Sequence, residues 1–398
     1  MKVFFKKYNS SVCCGIGSLI MRDLQELRVE IDRVDKSILE LFNERMGLTD
    51  EVAQYKISVG KPVYDKEREE QKLAALSANA KTEFDKRAIH ELYSQIMAIS
   101  RKNQFRLLAE NGVAFETGYS ALPAFDFSNS TVCFQGVEGA YSQQAMNEFF
   151  DLSFKDSFHV DTWRLAMDAI KEGKADYAVL PIENSSAGSI TENFDLLAEY
   201  EYTIIGEYFL KVEHALLGLK GAKIDDIKTI FSHPQAIAQC VAYIRDNHIE
   251  WNVEAMHNTA VAAMRVRDEG DKTQAAIASK LNADIYGLEV LEEQIQDNKN
   301  NVTRFVIVGK NKQYKQDAGK ISLCLEIPNS TGSLYKILSH FMFNGINLTC
   351  IESRPIGNEN WSYRFFIDCE GNLQDEAVKN VLVSLREECS KVVILGNY

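Results

Sequence analysis

The sequence has no run of about eighteen apolar residues, so nothing in it reads as a membrane-spanning helix. It also has no surplus of positive charge. The formal net charge of −13 argues against nucleic acid as the main partner, because a phosphate backbone rewards a basic face. Small anionic ligands stay open, since they respond to the local field and not to the total. Metal-ligand spacing is missing too: eight cysteines lie scattered at 13, 14, 133, 240, 324, 350, 369 and 389 without a CxxC pair, and the seven histidines form no HxxxH pair. A zinc site and a disulfide framework are therefore not expected, and the cysteine usage fits a reducing cytoplasm. What is present is the composition of a soluble globular protein, 45% hydrophobic and 25% charged over 398 residues. That length exceeds one ordinary core and predicts two to four domains.

Residues 1–20 stand apart. Lys2, Lys6 and Lys7 precede a short apolar run that Gly15 and Gly17 interrupt, and no small-residue cleavage site follows. We expect a disordered extension, or an upstream start before Met21.

From Arg22 to about Ile57 the residues Leu24, Leu27, Ile31, Val34, Ile38, Leu41, Leu48 and Val52 recur at threes and fours, which predicts one long amphipathic helix ended by Gly60 and Pro62. Further helices are expected over about Asp65–Asn79 and Asp85–Leu108, making an all-α three-helix unit over 21–108. Arg45 and Lys56 share a face about 16 Å apart along the first helix, spaced to grip opposite ends of a small dianion. Arg28 lies about 25 Å from Arg45, so it can serve the same ligand only from a second chain. Ser100 and Gln104, one turn apart, present neutral hydrogen-bonding groups on a common face. In identity and spacing, Arg28, Arg45, Lys56, Asp65, Arg68, Glu69, Ser100 and Gln104 resemble the active-site set of the all-helical chorismate mutases. The resemblance implies an intertwined dimer and rearrangement of chorismate to prephenate without a cofactor. Arg28 and Arg45 would clamp carboxylates, and Lys56 and Gln104 would hydrogen-bond the breaking ether. Glu69 would hold the substrate hydroxyl with help from Asp65 and Ser100, and Arg68 would buttress the set.

Residues 109–130 carry Gly112, Gly118 and Pro123 without period and read as a linker. From Val132 strands and helices alternate, which predicts an α/β domain. Four helices are expected to begin directly after strands, near Tyr141 and Ser142, in "NSSAGSITENF", in "SHPQAIAQC" and at Asn258 or Thr259. Ser189 with Glu192, and Ser232 with Gln235, have capping-box spacing. Helix N-termini at the carboxyl ends of strands favour a small anion in a cleft. A later stretch, "NVTRFVIV" from Asn301 to Val308, sets Thr303 and Arg304 at the mouth of a buried strand.

"GVEGAYS", "PIENSSAGSI", "SHPQAIAQC", "NTAVAA", "AAIAS", "YGLEVL" and "NVTRF" together resemble prephenate dehydratase over about 131–309, with Ala140 where that family commonly has threonine. This implies two α/β lobes similar to periplasmic binding proteins, crossed near Tyr208 and recrossed near Leu291, around a cleft where prephenate loses carbon dioxide and water. Tyr141, Ser142, Glu183, Asn184, Ser185, Gln235, Asn258 and Thr259 would line that cleft. Thr303 would deliver or relay a proton to the leaving hydroxyl, and Arg304 would clamp a carboxylate or brace the fold. His214 and His233 are read as structural.

Past a polar break at Gly309–Gly319, residues 320–398 follow a βαββαβ, ferredoxin-like order. They resemble an ACT domain. "GSLY" (Gly332, Ser333, Leu334) and "ESRP" (Glu352, Ser353, Arg354, Pro355) match that enzyme family's phenylalanine-binding motifs. The resemblance implies inhibition by phenylalanine held between paired ACT domains. Only Gly309–Gly319 separates that module from the Asn301–Val308 strand, which we expect to be the coupling element.

The whole reads as a multidomain, homodimeric or larger cytoplasmic enzyme of phenylalanine synthesis. Its expected partners are chorismate, prephenate and phenylalanine, with no metal, cofactor, nucleic acid or membrane. The alternatives are an arogenate-preferring dehydratase and a non-catalytic phenylalanine sensor.

Overall fold

In a computed structural model of the chain, residues 22–111, 116–357 and 362–398 are described. The extension expected over 1–20 lies outside them, as does part of the linker. The chain divides into two compact units on either side of Leu108 and Ala109.

The first unit is three helices, Leu24–Val59, Lys66–Ser77 and Glu83–Glu110. Asp23 caps the first by accepting from the Gln25 amide, and Gly60 closes it in the left-handed conformation, its N–H returned to the Ile57 and Lys56 carbonyls. The apolar stripe predicted for this helix is not covered by its own chain: Leu24, Ile31, Ile38 and Leu41 are each more than half exposed, at 59, 58, 57 and 65%.

The second unit is built on two sheets. Five strands, in spatial order Glu289–Glu292, Ala215–Gly218, Gln274–Ala278, Thr229–Ser232 and Asn252–Ala255, make one lobe. The other sheet runs in the order Leu348–Pro355, Tyr363–Glu370, Lys320–Ile327, Lys391–Asn397, Thr203–Lys211, Val302–Gly309, Tyr177–Asn184, Thr131–Gln135 and Asp156–Val160, with the two-residue strand Gly188–Ser189 beside Tyr177–Asn184. The C-terminal βαββαβ module and the first lobe are therefore one continuous sheet. They join where Lys391–Asn397 meets Thr203–Lys211 in parallel at Gly396 and Ile204. Only glycine fits there, because a Cβ on residue 396 would collide with the Ile204 carbonyl.

Three expectations are corrected. The chain changes lobes after Lys211 and is back by Val302, three and eleven residues beyond the expected Tyr208 and Leu291, because Lys211 pairs with Val302 and prolongs the strand. The described later part of the linker and the polar break hold to the fold: Ser120–Leu122 pairs with Gln313–Lys315, and Phe127 packs edge-on against Phe150 at 4.8 Å. Neither capping box forms. Ser189 turns to Glu352 and Ser232 donates to the Ile277 carbonyl, so Ile190 precedes one helix without a side-chain cap and His233 caps the other. Asn258 does cap its helix, accepting from the Val261 amide at 2.7 Å.

Candidate active sites

In the helical unit the structure gathers part of the predicted set. The Arg45 guanidinium donates to Ser100 Oγ at 2.5 Å, tying the first helix to the third. One turn beyond Ser100, Gln104 is buried, and its Oε1 has no hydrogen-bond partner among the described residues. A buried acceptor left open in a protein that otherwise pairs such groups points to a ligand donor. Lys56 Nζ donates to the Val63 carbonyl at 2.5 Å. Asp65 caps the second helix through the Arg68 amide, and Glu69 is ion-paired at 2.5 Å with Arg101. Arg101 was invisible to sequence reasoning, since a charged residue next to Ser100 breaks no period. Arg28 and Arg68 are exposed and are not brought to this cluster by their own chain.

Between the two lobes of the second unit lies a cleft of about 680 Å³. All four predicted helix starts reach it, through Tyr141 and Ser142, Thr191 and Glu192, Gln235 and Ala236, and Asn258 and Thr259. Thr303 and Asn184 stand at its floor, paired across neighbouring antiparallel strands. Asn184 Nδ2 donates to Thr303 Oγ1 at 2.9 Å and to Asn301 Oδ1 at 2.8 Å, while its own Oδ1 accepts from the amides of Ser186 and Ala187.

Three predicted residues do not line the cleft. Arg304 faces away from it, because neighbours on a strand point to opposite sides. Its guanidinium pairs with Glu207 at 2.8 Å and Asp368 at 2.7 Å and reaches the Tyr398 hydroxyl at 3.0 Å. It is a brace between lobe and C-terminal module, not a carboxylate clamp. Glu183 is exposed on the same outward side, and Ser185 is spent on the Asn300 carbonyl and the Val302 amide. Among the described residues no lysine or arginine lines the cleft, so its attraction for anions comes from the helix N-termini.

His214 is buried at one wall, its Nδ1 2.9 Å from the Tyr141 hydroxyl and its Nε2 2.8 Å from Gln239 Oε1. Burial holds its pKa below the usual histidine value and pushes that of Tyr141 well up, so both are neutral. Burial, and then the neighbouring His257, likewise lower His233. Gln239, His257 and Trp163 are cleft residues that the sequence analysis passed over. Gln239 was open to detection, standing one helical turn after Gln235.

In the C-terminal module the two motifs point to different neighbours. Gly332, left-handed, precedes the Ser333–Phe343 helix, and Leu334 packs into the core. Glu352 accepts from Ser189, and Arg354 grips Asp195 at 2.6 and 3.0 Å, both on the first lobe, while Ser353 and Pro355 are exposed on the free sheet edge. Ser189 also lines the cleft.

The family model described as prephenate dehydratase matches residues 132–313, and that described as chorismate mutase type II matches residues 27–105. A bifunctional chorismate mutase/prephenate dehydratase of Buchnera aphidicola is 33% identical over 389 residues, covering 96% of each chain. An arogenate dehydratase/prephenate dehydratase of Arabidopsis thaliana is 38% identical, covering 69% of this chain and 73% of its own. Among solved structures, a prephenate dehydratase from Arthrobacter aurescens in complex with L-Phe is 31% identical with a TM-score of 0.63, covering 67% of this chain and 89% of that one.

Proposed function

The chain belongs to the bifunctional chorismate mutase/prephenate dehydratase family, and from this we propose how its residues divide the work of the two reactions. It converts chorismate to prephenate and prephenate to phenylpyruvate, on the route to phenylalanine. In the mutase half, 21–108, Arg45 takes one substrate carboxylate, and Lys56 and the side-chain NH2 of Gln104 donate to the ether oxygen as its bond breaks and charge builds, while the open Gln104 Oε1 accepts from a ligand donor. Ser100 holds Arg45, and Arg101 holds Glu69 for the substrate hydroxyl. Arg28 completes the site from a second copy. The distance of Arg28 from Arg45 and the uncovered stripe Leu24–Leu41 support this, because an intertwined partner would bury that stripe and bring its own Arg28 to the far end.

In the dehydratase half, 131–309, the helix N-termini receive the prephenate dianion. Loss of the ring carboxylate as carbon dioxide feeds an electron pair into the ring, which becomes aromatic as the C4 hydroxyl departs and is protonated to water. The observation that carries the assignment is the Asn184 hydrogen bond: Thr303 Oγ1 already accepts from Asn184, so its own proton is turned toward the cleft, where the leaving hydroxyl needs it. Glu192, a carboxylate on the cleft wall, favours a second reading in which the ammonium of arogenate is received there. Relative turnover of the two substrates decides between them.

Residues 320–398 act as the ACT module, paired through the free Leu348–Pro355 edge with phenylalanine between copies. Glu352 and Arg354, which touch the lobe at Ser189 and Asp195, pass its effect to the cleft wall. A reducing cytoplasm suits the six described cysteines, all free thiols. A coupled assay tests the whole: chorismate is supplied and phenylpyruvate followed, with and without phenylalanine. Phenylpyruvate should form and phenylalanine should suppress it, less so in Arg354→Ala. Chorismate consumed without phenylpyruvate, or output indifferent to phenylalanine, would overturn the corresponding half.

A further inference from the structure

We propose that Asn301 is a positioning residue for the dehydratase step: its side-chain oxygen locks the Asn184 amide so that Thr303 is held as acceptor, with its proton free for the leaving hydroxyl. This rests on the reading of Thr303 as the proton donor.

The lock follows from counting donors and acceptors. Asn184 Oδ1 takes two backbone amides, those of Ser186 and Ala187, at 3.0 and 2.9 Å, which fixes which end of the amide is oxygen. Its nitrogen then has two hydrogens to place. One goes to Asn301 Oδ1 at 2.8 Å and the other to Thr303 Oγ1 at 2.9 Å, with the Val302 carbonyl a longer, shared acceptor at 3.4 Å. With both committed, Asn184 offers nothing that could accept the threonine proton, and no other acceptor among the described residues takes it.

Asn301 is 1% exposed, and its Nδ2 has no hydrogen-bond partner among the described residues. Reversing the Asn301 amide would set nitrogen against the Asn184 nitrogen, donor facing donor, and release the lock. The fold thus tolerates an unpaired buried donor to keep that oxygen where it is, which is the pattern expected of a residue kept for function. The backbone anchors it as well, because the Asn301 carbonyl accepts from the amide of Val212, itself on the cleft wall.

The test uses the full chain, with prephenate supplied and mutase activity measured on the same samples. Asn301→Ala should lower dehydratase kcat by about tenfold or more, with KM for prephenate little changed and mutase turnover kept. Asn301→Asp retains an acceptor oxygen whether or not its carboxyl is ionised, so it should recover most of kcat, whereas the apolar, similarly sized Asn301→Leu should not. Added to Thr303→Val, Asn301→Ala should bring no further loss, since both act through one proton. Thr303→Val with near-normal turnover would overturn the reading of Thr303 itself. If Thr303→Val is inactive but Asn301→Ala is fully active, or the two losses multiply, only the role of Asn301 fails. If Asn301→Ala does not fold, Asn301→Asp and Asn301→Leu decide, and equal dehydratase kcat in the two would overturn the proposal.

Discussion

Lys56 and Thr303 lie in different compact units, so the two reactions should part cleanly under single substitutions. Lys56→Ala is expected to abolish chorismate rearrangement and leave turnover of supplied prephenate intact. Thr303→Val should do the reverse, lowering dehydratase kcat by about a hundredfold or more; separate assays on each substrate measure both. His214 supplies a different kind of expectation, tied to stability. Its pKa is lowered in the fold by burial, so folding favours the neutral ring. The stability this contributes is present above the unfolded value of about 6.5 and is lost as pH falls through the lowered folded value. Melting temperature should therefore fall on acidification from pH 7 to 5 more steeply in the parent than in His214→Gln.

Elements were legible where one periodicity had one cause. The stripe from Leu24 to Val52 located the first helix to within two residues at each end, and the strand-then-helix texture from Val132 placed four helix starts that do meet in one cleft. The Val302–Gly309 strand was harder. It is buried from Thr303 onward on both faces, so no alternation told which side Arg304 takes. Clamp and brace are therefore both open in the sequence, and the guanidinium takes the second, pairing with Glu207 and Asp368 on the other side of the sheet. Arg304→Met should accordingly leave KM for prephenate nearly unchanged and cost about 3 kcal/mol in denaturant unfolding of the second unit, because the buried Asp368 loses its ion-pair partner while Glu207 keeps Lys320. A large rise in KM at unchanged stability would restore the clamp. Ser189 shows the same limit: its spacing to Glu192 fits a cap, but a carboxylate 163 residues away takes the hydroxyl, which local sequence cannot foresee. The open acceptor of Gln104 and the Arg101 partner of Glu69 likewise depend on contacts between helices.

For the molecule as a whole, the two units differ in how far along the chain their contacts reach. The helical unit closes through ties a few tens of residues apart, such as Arg45 to Ser100, and leaves its apolar stripe exposed. The sheet of the second unit places Lys391–Asn397, almost the last residues, between Lys320–Ile327 and Thr203–Lys211. That seam has a consequence for the time course of folding. Its register is a single residue pair wide, Gly396 on Ile204, and the chain between them must be ordered before the pairing yields anything, so closure of the large sheet should be a late and slow event. Refolding followed by far-ultraviolet circular dichroism should show helix recovered early, with prephenate turnover returning in a slower phase. Gly396→Val should slow or abolish that second phase while the first keeps its rate.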